Sequence, residues 1–218
     1  MNTSCAELRD AENLGWRQNG LTADDVATLA MILQINRLPR LQRLRLSDNG
    51  FGDGHAGVVR GPRPHILALP LGLGNNNFGP AGAEALGAAL CRGALLPNLV
   101  PAAFNPIGNQ GAATLAAPLR KLPTLKRLLL TRCEIGDKGL ASLVANLGKD
   151  DFKALETLFL GDNQITDAGM TTLVAVLDAG RLPRLVCDQA FGRFFVQHNR
   201  ASASAVQAVE DALAKRSQ

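Results

Sequence analysis

The chain has no tyrosine, one tryptophan and only 4% aromatic residues among its 218. Proteins that grip nucleic acid strands combine a concentrated basic stripe with stacking aromatics. Here 17 Arg and 6 Lys are scattered singly against 19 acids, for a net charge of +4. A mildly basic, solvated surface is expected, and nucleic acid is not the expected partner. No run approaches the roughly 18 apolar residues that a membrane helix needs, so no membrane is expected either. The first residues, Met1 to Glu7, are neither basic nor apolar, which points away from a secretory signal and toward the cytoplasm, with the nucleus left open. The four cysteines, Cys5, Cys91, Cys133 and Cys187, form no C-x-x-C pair and lie far from His55 and His65. They read as reduced thiols, most of them buried, and no metal site or cofactor is expected.

What the chain does have is an internal period. Asn residues followed two positions later by an apolar residue recur at Asn19, Asn49, Asn76, Asn105 and Asn163, and Cys133 fills the same slot. Asn199, followed by Ala201, fits it weakly. Successive anchors are 30, 27, 29, 28, 30 and 36 residues apart. The two best copies run Leu155-x-x-Leu158-x-Leu160-x-x-Asn163-x-Ile165 and Leu125-x-x-Leu128-x-Leu130-x-x-Cys133-x-Ile135. Each continues with a glycine six residues past the anchor and leucines at intervals of four.

Leu158 and Leu160 alternate with outward positions, as in a strand with one buried face. Beyond the anchor, Gly169, Leu173 and Leu177 share one face of a helix, which Asp178-Ala179-Gly180 then closes. Such a strand–turn–helix unit cannot bury its own apolar face, so successive units must stack with their strands parallel. Strands about 4.8 Å apart and helices about 10 Å across make the stack curve with its strands inside. The anchor amide, able to donate and accept at once, is expected to satisfy backbone groups at the turn and to form a ladder along the stack.

These residues resemble the leucine-rich repeat superfamily, and within it the ribonuclease-inhibitor-like class. Cysteine in the anchor slot, as at Cys133, is common in that class. The resemblance covers residues 12–218 and implies an α/β solenoid, a horseshoe of about seven repeats with a parallel concave sheet and convex helices. Residues 1–218 then form a single domain, with 1–12 as a short N-terminal cap and 201–218 as a terminal helix in which Val209 and Leu213 face inward. Three units depart from the frame. The second has Gly61-Pro62-Arg63-Pro64 where its helix should run, the fourth has Pro101 in its strand with Leu99 six residues before Asn105 instead of eight, and the seventh has about six extra residues near 186–191. Each reads as a loop or as an error in the sequence.

Signs of catalysis are weak. Gly52-Asp53-Gly54-His55-Ala56-Gly57 spells a dinucleotide fingerprint, but no acid follows between His55 and Ala83, and glycine is expected in that turn anyway. Cys187 and His198 are eleven residues apart with no third, orienting group, so they read as a structural thiol and a surface histidine. No enzyme activity and no small-molecule substrate are expected.

The concave surface offers a binding site instead. Alternation aims Arg127, Leu129 and Thr131 outward, and likewise Thr157, Phe159 and Gly161, and Arg193, Phe195 and Gln197. Leu129, Phe159 and Phe195 would stand side by side as an exposed apolar ladder, rimmed by Arg127, Arg132, Arg193 and His198, the composition favoured at interfaces. The alternatives are ordinary scattered exposure, or a Phe195 turned inward by its shifted unit. The N-terminal part of that face, with Gly15, Arg45 and Gly72, is small or polar. The expected function is a non-catalytic module that binds a protein partner on this face. A rival is a regulator of a small GTPase, as the Ran activator of the same class implies, although that relative's acidic tail has no counterpart here. A third reading is a repeat fragment of a larger receptor.

Overall fold

The computed structural model describes residues 12–21, 43–50, 52, 71–72, 74–90, 98–99, 104–185 and 196–216. The Gly61–Pro64 stretch, Pro101, residues 186–195 with Cys187, Arg193 and Phe195, and nearly all of the expected N-terminal cap lie outside them, as do Cys5, Cys91, His55 and His65.

Among the described residues, six short strands form one parallel sheet in chain order: β1 (Asn13–Gly15), β2 (Arg43–Arg45), β3 (Leu71–Gly72), β4 (Asn98–Leu99), β5 (Arg127–Leu129) and β6 (Thr157–Phe159). Strands consecutive in the chain are neighbours in the sheet, the signature of stacked repeats. The register sets Leu14, Leu44, Leu71, Leu99, Leu128 and Leu158 in one row across the sheet. Leu14, Leu128 and Leu158 are buried, in one continuous core with residues from the helices.

The register also revises the fourth unit. Leu99 pairs with Leu71 and Leu128, each five residues before its own anchor, whereas Leu99 stands six before Asn105. It therefore takes the strand-centre position, and the unit has gained one residue at its turn instead of losing two before it.

Among the described residues the helices are α1 (Pro80–Leu90), α2 (Gly108–Arg120), α3 (Asp137–Val144), α4 (Asp167–Asp178) and α5 (Ala203–Ala214). Consecutive helices pack on one another from α1 to α5. Helix α4 ends at the predicted stop, with Gly180 in the left-handed region at φ 67°. Helix α3 ends earlier, with Ala145 extended, and Arg120 of α2 donates to the freed carbonyls of Leu143 (3.0 Å) and Ala145 (2.9 Å). In α5, Val209 and Leu213 are buried.

A second row of bonds ties the helix starts together. Asn109 Oδ1 accepts from the backbone N–H of Gly136 (2.8 Å) and Gly139 (2.9 Å) in the next unit. Asp137 repeats this on Thr166, accepting from its backbone N–H (2.8 Å) and its hydroxyl (2.6 Å). Asp167 does the same for Ser202, through both its N–H (2.6 Å) and its hydroxyl (2.9 Å). These residues stand four past their anchors, so each helix's first turn caps the next helix, where a carboxylate also suits the dipole.

Candidate partner-binding face

The anchors bind consecutive units. Asn163 Oδ1 accepts from the backbone N–H of Cys133 and Ile135, both at 3.0 Å, while its Nδ2 donates to the carbonyls of Leu130 (2.7 Å) and Leu160 (2.9 Å). Asn49 does this toward Asn19 and Leu21, Asn105 accepts from Asn76 and Phe78, and Asn199 accepts from Ile165. Asn76 accepts from the Asn49 N–H and donates to the Leu46 carbonyl. Cys133 is fully buried and its Sγ lies 3.5 Å from the Thr131 carbonyl. Burial pushes its thiol up to about 12, even though backbone N–H groups of Asn105 and Phe104 favour the thiolate.

The residue before each anchor is left-handed: Gln18, Asp48, Asn75, Phe104, Arg132, Asp162 and His198 all have φ between 53° and 63°. That conformation costs a non-glycine residue about 1–2 kcal/mol, and the fold repeats it seven times because of what it permits. With the chain turned this way, the N–H groups of five of them extend the ladder into the next unit, among them Phe104 to Thr131 (2.8 Å), Arg132 to Gly161 (3.2 Å) and Asp162 to Gln197 (2.9 Å).

Their side chains consequently form a row along the strand ends. The Arg132 guanidinium lies over the Phe104 ring, 5.1 Å from its centroid. Arg132 and His198 both approach Asp162, at 3.7 Å each. Further along, Asp48 is paired with Arg17 and accepts from Asn75, and both hydrogen bonds hold its carboxyl below the ordinary range. Phe104 is 47% exposed, the only large apolar side chain so exposed among the described residues.

The sheet's open face, opposite the helices, carries Arg127 and Leu129 on β5 in register with Thr157 and Phe159 on β6. Here the sequence expectation needs correcting. Phe159 is 9% exposed and Thr157 6%, so both are buried, and Leu129 is half-buried. The expected exposed ladder of Leu129, Phe159 and Phe195 is therefore absent at β6, while Arg193 and Phe195 lie outside the described residues. Arg132 and His198 are exposed as expected, and the structure joins them to Phe104 and Asp162, which sequence reasoning missed. The available signal was position: both stand immediately before an anchor. Among the described residues, no three His, Cys, Asp or Glu side chains gather as metal ligands would, and no helix is long and apolar enough to cross a membrane.

A strand, a left-handed turn closed by an Asn or Cys anchor, and a helix, stacked in register, define a leucine-rich repeat protein. The Leucine Rich repeat family profile matches residues 121–144 and 154–174, the two units whose frames are most regular. The chain is 33% identical over 150 residues, 66% of its length, to the Tonsoku-like protein of Bos taurus. It spans only 11% of that relative. The chain belongs to the leucine-rich repeat superfamily. Repeats of this kind generally serve as non-catalytic modules for protein–protein interaction.

Proposed function

We propose that this chain binds a protein partner on the open face of its sheet, that this face is the concave side of a horseshoe of about seven ribonuclease-inhibitor-like repeats, and that it does so without catalysis. The observation that carries the reading is the exposed Phe104 beneath the Arg132 guanidinium, next to Asp162 and His198. Aromatic and Arg side chains are favoured anchors of interfaces, and the contact between the two already pairs them before a partner arrives. Arg127 and Leu129 extend the surface onto the sheet. Arg193 and Phe195 belong to the same proposal by their place in the repeat, and so does Phe159 if a partner displaces what covers it. Residues 1–218 acting as one array in the cytoplasm or nucleus complete the reading.

The test is affinity capture followed by binding measurements with the purified partner. Phe104→Asp combined with Leu129→Glu, shown by circular dichroism to be folded, is expected to lose the partner. Ala175→Glu, an exposed position on α4, is expected to keep it. Equal loss in both, or in neither, would refute the open-face reading. The small-GTPase alternative predicts accelerated GTP hydrolysis when the purified chain is added to its target GTPase; the interaction reading predicts none.

A further inference from the structure

The N-terminal half of the open face differs in chemistry from the Phe104 end. Gly15, Arg45 and Gly72 stand in register on β1, β2 and β3. A β-carbon at Gly15 would meet nothing within 4 Å, and Gly72 has no side chain to offer, so Arg45 is flanked in its own row by two positions that contribute no bulk, while Asn13 is the outward side chain of β1 in the neighbouring row. The Arg45 side chain is exposed and has no hydrogen-bond or ion-pair partner among the described residues. No Asp or Glu occupies any position of β1 to β6, whereas Arg43, Arg45 and Arg127 do. Asp48, the acid at the turn after β2, is already engaged with Arg17.

We propose that this glycine-flanked trough receives an extended acidic segment of a protein partner, with one carboxylate held by the Arg45 guanidinium. The inference rests on the reading that the open face binds protein, and it adds the partner's chemistry. A planar guanidinium with its fork free is the group best matched to a carboxylate, in two parallel hydrogen bonds. The flanking glycines leave room for the segment's backbone. From β1 to β5 the face spans four strand spacings, about 19 Å, which an extended chain covers in about six residues. A nucleic acid phosphate would also be drawn to arginine, but bases need a series of stacking aromatics, and Phe104, beyond the trough, is the only exposed large apolar side chain among the described residues, which disfavours it.

The experiment uses the full chain and fluorescence anisotropy. The probe is a fluorescein-labelled peptide of about eight residues alternating Glu and Ser. A second peptide has Gln in place of Glu, and a single-stranded oligonucleotide of similar length is the third probe. The Glu peptide is expected to bind at least about ten-fold more tightly than the Gln peptide, with affinity falling as salt rises. Arg45→Glu is expected to abolish that difference and Arg45→Lys to keep part of it, since a lysine offers charge without the fork. Gly15→Leu, which fills the trough without touching the charge, is expected to weaken binding while circular dichroism stays unchanged. Equal binding of the two peptides, an Arg45→Glu variant that binds like the wild type, or binding of the oligonucleotide alone would overturn the proposal. If the acidic probe fails while Phe104→Asp with Leu129→Glu still loses the captured partner, only the acidic chemistry falls. If that variant keeps the partner as well, the open-face reading falls with it.

Discussion

Asp137 lies against Gly169 so closely that a β-carbon on the glycine would overlap both the Asp137 carboxylate and the Ile165 side chain. The same contact recurs one unit earlier, where a β-carbon on Gly139 would come within 2.7 Å of Asn109 Oδ1. Glycine six residues past the anchor is thus required by space, not by backbone angle. It admits the side chain that caps the next helix.

Gly169→Ala is therefore expected to destabilise the fold by about 1–3 kcal/mol, the usual cost of overpacking. Asp137→Ala should destabilise it too, by uncapping α4. The double variant should lose less than the sum, because removing the carboxylate makes room for the methyl. Urea denaturation of the four proteins checks this, and strict additivity would contradict the shared contact.

Asn163→Ala removes the acceptor of two buried N–H groups, those of Cys133 and Ile135. Each buried group left unpaired costs about 1–3 kcal/mol, so the loss should reach at least that for one group. Asn19, at an exposed position, should cost much less when replaced by alanine. Comparing the two denaturation midpoints tests the ladder directly.

Cys133 should resist iodoacetamide in the folded chain at pH 8 and react promptly in guanidinium, as mass spectrometry of the labelled peptide would record. Its thiol is raised from 9.0 to about 12 by burial. A raised folded-state value favours the protonated form in the fold. The contribution to stability is thus fully present below about pH 9 and is lost as pH rises from there toward about 12. Cys133→Ala should flatten that alkaline limb.

Asp151 sits at the opposite end of the pH scale. Its Oδ1 accepts from Lys121 Nζ at 2.6 Å and its Oδ2 from the Gly148 N–H at 2.9 Å, and together they lower its carboxyl below 3.8. A lowered folded-state value gives stability that is present above the ordinary carboxylate range and lost as pH falls through the lowered one. Lys121→Met should raise the Asp151 titration midpoint in a carbon-13 NMR titration and move the acid limb of the stability curve toward higher pH. An unchanged midpoint would show that Lys121 does not set it, leaving the Gly148 N–H and the Arg120 charge.

Much of this was legible from spacing. The anchor at Asn163, the strand centre at Leu158 and the end of α4 each follow from a local period that one unit repeats in the next. Leu99 was misplaced because β4 has gained a residue at its turn, and only pairing with Leu71 and Leu128 reveals which position it holds. Phe159 was expected outside because alternation assigns a face, yet alternation cannot say what else covers that face.

The sequence by itself determined the repeat, the parallel stacking it forces, and the need for a polar anchor at each turn, since these depend on periodicity and on the hydrogen-bonding capacity of single side chains. The tertiary structure alone decided which side chains meet across units. Phe104 reaches Arg132, Asp162 reaches His198, and Asp137 fills the space over Gly169, although about thirty residues or more separate most of these partners. The physical reason is that contacts between units depend on backbone angles at the turns and on one-residue shifts in register, and neither is encoded within a single unit.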